Sequence, residues 1–157
     1  MSFIAGGFTA TYGGSALGTI RNGFTLEWTG DEEIIRGDNL GTAAQDAVLI
    51  GQDVFVEFEL AEWNAAGAQA AMWPWGGATG SGGTLGRLAS DIDEQLILTA
   101  IAGTSSAALT GEDVYTFPKC KLAEGFPVRI LLATRLRTVP LRFRVYPDAS
   151  NVYFTLT

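Results

Sequence analysis

The sequence predicts a mainly β protein, a β-sandwich or barrel of about eight strands with one flanking α-helix. Three observations predict it. Short runs with period-2 alternation of apolar and polar residues recur along most of the chain. Only one stretch has helix-forming composition, and glycine-rich punctuation separates the segments. At 157 residues and 16.6 kDa the chain fits a single domain, 1–157, large enough to bury a core without disulfides or metals.

The elements follow in order. Residues 8–12 alternate apolar residues with Thr and meet Gly13-Gly14. Residues 24–28 form a clean alternating run. An acidic, glycine-punctuated stretch, 29–45, reads as a long loop. Residues 46–50 and 53–62 flank Gly51-Gln52, and two such runs around a Gly-containing pair predict a tight hairpin. In 53–62, Val54, Val56, Phe58 and Leu60 share one face and Phe55, Glu57 and Glu59 the other, so one side faces a core and the other is more polar. Residues 63–73 (WNAAGAQAAMW) predict the helix, since Ala is a strong helix former and Pro74 stops it. Trp63, Ala66, Ala70 and Trp73 form a stripe that would pack on a sheet. Residues 74–95 are a glycine-rich loop, with six glycines between 74 and 87. Strands follow at 96–101, at 114–122 (where Pro118 marks an edge or bulge), at 128–137 and at 141–146, and the closing VYFTLT is a further short one. No internal repeat occurs at 20–50 residues.

Charge bounds the function. The net charge is −7 and the pI about 4.4, whereas stable nucleic-acid binders are basic because affinity comes from neutralised phosphates. The distribution is uneven. Residues 27–62 hold ten acidic residues against one basic, Arg36, and 119–144 hold Lys119, Lys121, Arg129, Arg135, Arg137, Arg142 and Arg144. A monomer can be built this way, and so can a head-to-tail oligomer in which an acidic edge meets a basic one. Only 17% of residues are charged, which fits either a surface covered by neighbours or one rich in Ala, Gly and Thr.

Chemistry is sparse. The chain has no histidine, which excludes Ser-His-Asp and Cys-His devices. A carboxylate pair drawn from Asp31, Glu32, Glu33 and Asp38 is formally open, as is calcium in 31–38 or 46–53, but the twelve-residue calcium-loop pattern is not met. The glycine-rich loop lacks the Lys and the strand–helix context of a phosphate loop. Cys120 is the single cysteine and reads as a small buried hydrophobe. No signal peptide or membrane-length apolar run is read. The expectation is a non-enzymatic protein without metal or cofactor.

The order of segments carries a resemblance. It consists of FTATYGGSALGTIRNGFTLEW near the start, an acidic GDNLG loop, DAVLIGQDVFVEFELAEW, an Ala-rich helix, WPWG, LILTAIAGTSSAAL and PVRILLATRLRTVPLRFRVYP. Over nearly its whole length the chain resembles the tail tube proteins, or major tail proteins, of long-tailed bacteriophages. The resemblance implies subunits that form six-membered rings, which stack into a hollow tube with one continuous inner barrel. It implies that 29–45, with Asp31, Glu32, Glu33, Arg36, Asp38 and Asn39, reaches the next ring. It places the protein in the virion after assembly in the host cytoplasm. Its partners would be copies of itself, a tape measure protein, tail terminator and distal tail proteins, and double-stranded DNA passing without specific binding. Glu57 and Glu59 are expected to face the bore, and Arg129, Arg135, Arg137, Arg142 and Arg144 to lie between subunits. A neck, connector or decoration protein is the alternative structural reading. A carbohydrate-binding or hydrolytic β-sandwich is a further one, and it would need an aromatic platform around Trp73 and Trp75.

Overall fold

The computed structural model describes residues 7–38, 41, 43–62, 64, 67, 88, 93–101, 114–129 and 138–157. Among these residues it is mainly β: seven strands in one antiparallel sheet. They are β1 (Phe8–Tyr12), β2 (Ser15–Arg36), β3 (Ala44–Leu60), β4 (Glu94–Ala100), β5 (Val114–Leu122), β6 (Val139–Tyr146) and β7 (Thr155–Leu156). The order is β4-β1-β2-β3-β6-β5-β7, and β4 also pairs with β5, so six strands return on themselves like a ring.

The core follows from the alternation. Along β6, Val139, Leu141, Phe143 and Val145 are buried while Pro140, Arg142 and Arg144 are half-exposed, the period-2 pattern read from the sequence. Val54, Val56, Phe58 and Leu60 do the same along β3. Side chains from β1 to β6 meet in one cluster, centred on aromatic pairs. Phe143 stacks on Phe58 with ring centroids 5.6 Å apart, and Tyr12 lies 5.1 Å from Phe143. Phe24, on β2, packs edge-on against Phe8 at 5.0 Å and Tyr115 at 4.8 Å. The Tyr12 hydroxyl donates to the Cys120 carbonyl at 3.1 Å, so its buried polar tip is satisfied.

Cys120 is fully buried and its Sγ donates to the Glu94 carbonyl at 3.4 Å. Burial pushes the thiol well above its ordinary range, so the reactive thiolate is scarce. Native protein is therefore expected to resist iodoacetamide and to be labelled at Cys120 only on unfolding. Rapid labelling of the folded chain, followed by mass spectrometry, would contradict this packing.

Several boundaries depart from the sequence expectations. Gly13-Gly14 does form a two-residue turn, with Tyr12 opposite Ser15 and both glycines at positive φ (59° and 81°). Asn22-Gly23, the pair most typical of hairpins, turns nothing. Both residues have positive φ, yet they form a two-residue bulge in β2, because Arg21 pairs with Glu59 and Phe24 with the adjacent Phe58. Gly51-Gln52 is not a turn either. Gly51 pairs with Asp31 and Gln52 with Gly30, and the irregularity is one extra residue, Ile50, in a continuous β3. The expected hairpin at that point is thus replaced by a much longer one that turns beyond Arg36. The 29–45 stretch is accordingly mostly strand and not loop.

Pro118 sits at a bulge as expected. Leu96 pairs with Phe117 and Glu94 with Cys120, leaving two β5 residues opposite one of β4. β7 is only two residues long. Val128 and Arg129, the start of an expected strand, lie outside any strand, and the rest of 128–137 lies outside the described residues. So does most of the expected helix at 63–73, of which Asn64 and Gly67 are described. Asn64 Oδ1 accepts a hydrogen bond from the Gly67 amide at 2.8 Å. Most of the glycine-rich 74–95 segment also lies outside the described residues.

Candidate assembly surface

β2 and β3 outrun the rest of the sheet. β1 pairs with β2 only over 15–20, and β6 pairs with β3 only over 54–60. Beyond Trp28 and Val54 the two strands have only each other, and they pair from Thr29–Asp53 to Arg36–Ala44. At the rise of an extended strand, eight residues carry this arm roughly 25 Å past the body. Both of its outer edges are free of strand partners among the described residues.

The arm is exposed and yet apolar. Trp28 at its base is 59% exposed, Leu49 80% and Ile50 64%, and Ile34, Ile35 and Val48 are also open. A two-stranded ribbon is marginal in water at best, and exposed apolar residues on free edges invite pairing with another chain. Register decides which residues share a side. β2 alternates without interruption from Phe24 to Ile35, so Trp28, Gly30, Glu32 and Ile34 continue the side on which Phe24 and Leu26 pack against the core. Leu49 and Ala47, opposite Glu32 and Ile34, lie on that side too. The other side carries Asp31, Glu33 and Ile35, opposite Gly51, Val48 and Asp46. One side is therefore mostly apolar, and the other carries Asp31, Glu33 and Asp46 beside Ile35 and Val48.

Of the expected inter-ring residues, Asp31, Glu32, Glu33 and Arg36 lie in the arm's strand, Asp38 is exposed just past it, and Asn39 lies outside the described residues. The four candidate acids do not converge on a walled cleft: Asp31 and Glu33 lie on the side opposite Glu32, and all are exposed. Among the described residues no three His, Cys, Asp or Glu side chains gather as a metal site. No described helix is long and apolar enough to cross a membrane.

A second surface lies on the non-core side of β3 and β6. Glu57 is directly opposite Arg142 and forms an ion pair with it, and Arg142 also reaches Glu27 at 3.6 Å. Arg144 pairs with Asp53 at 2.7 Å and grips the Glu124 carboxylate, with Nε at 2.9 and 3.0 Å from its two oxygens. Phe55 lies beneath both guanidiniums, its ring centroid 4.1 Å from Arg142 and 4.6 Å from Arg144. The hydrogen bond from Arg144 holds the Glu124 carboxyl below its ordinary range and, reciprocally, raises Arg144. Glu124 is exposed, so that pair adds little to stability.

The two basic residues of β6 expected between subunits are thus already neutralised within one chain. Charge separated along the sequence comes together in space because β3 and β6 are neighbours. Arg129 is exposed in a loop, and Arg135 and Arg137 lie outside the described residues. Glu59 lies on the same non-core side as Glu57. It borders a cleft of about 300 Å³ formed where the Asn22-Gly23 bulge parts from β3, with Arg21, Phe126 and Pro140 around it. The cleft carries both charge signs, from Arg21 on one side and Glu57 and Glu59 on the other.

The chain matches no protein-family model and no curated protein sequence.

Proposed function

We propose that this chain is a structural subunit that assembles with copies of itself into stacked six-membered rings, the tube through which a long-tailed phage delivers DNA. The observation that carries the reading is the β2–β3 arm: a long ribbon whose two outer edges have no strand partner among the described residues, with a row of exposed apolar residues, built where the tail tube resemblance expects an inter-ring segment. The finer fold, a closed barrel with a helix at 63–73 against it, belongs to the same proposal. Strands completed by neighbouring copies would remove the exposed edges.

In this reading the non-core side of the sheet faces the bore, with Glu57 and Glu59 on it. Arg142 and Arg144 make that wall a mosaic of internal ion pairs. Such a wall has few free cations to hold phosphate, so DNA passes without sticking. A tape measure protein fills the tube before the DNA, and terminator and distal tail proteins close its ends.

Negative-stain electron microscopy of the purified protein at high concentration tests the proposal. Hollow tubes with six-fold symmetry are expected. A chain that stays a compact monomer at every concentration and ionic strength tried would end it.

A further inference from the structure

We propose that only one side of the arm docks. The side carrying Trp28, Ile34 and Leu49 lies against the body of a second copy of this chain, and the side carrying Asp31, Glu33 and Asp46 stays in water. The inference rests on the self-assembly reading and names its contact surface.

Four observations carry it. First, the docking side continues the core face of the sheet: Trp28 stands opposite the buried Val54 and is itself 59% exposed, so the apolar stripe runs out past the end of the body with none of the described residues over it. Second, the most exposed of the arm's large apolar residues, Leu49, is on that side. Third, charge separates by side. The docking side carries Glu32 and Arg36, which cancel, whereas Asp31, Glu33 and Asp46 leave the other side acidic. Desolvating three carboxylates is far more costly than covering Leu49, Ile34 and Trp28. Fourth, the complementary charge is in this chain's own body. Arg21, Lys119 and Arg129 form no ion pair among the described residues, whereas Arg142 and Arg144 are already paired.

The ribbon leaves the body where β1 and β6 stop pairing. A second copy can present those cations. The acidic side then acts twice. Its rim charges steer the arm toward those three cations, and its repulsion keeps two arms from zipping together along their edges. That discrimination separates tube growth from indiscriminate sheet stacking.

Two neighbouring residues of similar size test the assignment, because Val48 and Leu49 point to opposite sides. Leu49→Lys is expected to raise the protein concentration needed for tube formation by about tenfold or more, and Val48→Lys by less than about twofold. Both residues are exposed, so both variants should melt at the wild-type temperature, and circular dichroism checks that. A blue shift of tryptophan emission on assembly, lost in Trp28→Phe, is the second readout. Equal loss in both variants, or loss in Val48→Lys alone, overturns the side assignment while tubes of wild-type protein leave the assembly reading standing. A wild-type chain that never assembles overturns both.

Discussion

A chain whose arm is cut off should fold as before and assemble no longer. Replacing residues 31–51 with Asn-Gly joins Gly30 to Gln52, which already face each other across the ladder, by the two-residue turn best suited to a hairpin. None of the described residues among those removed is buried, so no described core contact is lost. The body is expected to keep its melting temperature to within a few degrees, corresponding to about 1 kcal/mol or less. Tube formation should vanish at every concentration at which the full chain forms tubes, because the surface proposed to bridge copies is gone. Sedimentation velocity and electron microscopy read the outcome together. Tubes built by the armless chain would show that the arm is ornamental, and a large fall in melting temperature would show that it packs on the body.

The second large effect lies in the core. Phe143→Ala removes a ring that is fully buried, stacks on Phe58 and touches Tyr12. Truncations of this kind cost about 3–5 kcal/mol, a large share of the roughly 5–15 kcal/mol that a domain has. For a chain of this size that corresponds to a fall of roughly 6–20 °C in melting temperature. Phe55→Ala is the contrast. Phe55 sits one residue pair along on the opposite side of the sheet, half-buried under two guanidiniums, so its loss should cost about 1 kcal/mol. Denaturant unfolding of the two variants measures the difference. A larger loss for Phe55→Ala than for Phe143→Ala would mean that the inside and outside of this sheet have been assigned the wrong way round.

The two experiments probe different parts of one design. The body satisfies its own edges by pairing β4 with β5, and it satisfies much of its charge by pairing β3 with β6. What it does not satisfy is the arm. An acidic stretch and a basic stretch separated in sequence look like two halves of an intermolecular contact. Here much of that complementarity is spent inside the chain, on Glu57–Arg142 and Asp53–Arg144–Glu124. The remaining imbalance is concentrated in the arm, which is why the arm, and not β6, is the candidate contact.

Where a strand packs against the core, its sequence shows it. β1 and β6 and the inner half of β3 alternate because one face is buried and the other is not, and a period of two cannot be mistaken for a helix over eight residues. The arm breaks that logic. Both of its sides meet water in a single chain, so no core imposes alternation, and Asp31, Glu32 and Glu33 with Gly37 and Gly41 read as a loop. Glycine adds a further ambiguity. Gly51 beside a bulge and Asn22-Gly23 within one have the composition of turns, because turns and bulges call for the same left-handed or unencumbered backbone. Composition states that such a backbone is needed; whether the chain then reverses or continues depends on whether a partner strand runs on beyond it.

The sequence alone therefore determined that this is a β protein with a polar and an apolar side to its sheet, without histidine chemistry, and with its acids and bases in separate stretches. Only the tertiary structure decided that Gly51-Gln52 continues a strand, that β4 closes back on β5, and that Arg142 and Arg144 are neutralised at home. Local patterning reports what each residue needs from its surroundings, and long-range strand pairing decides which other residues supply it.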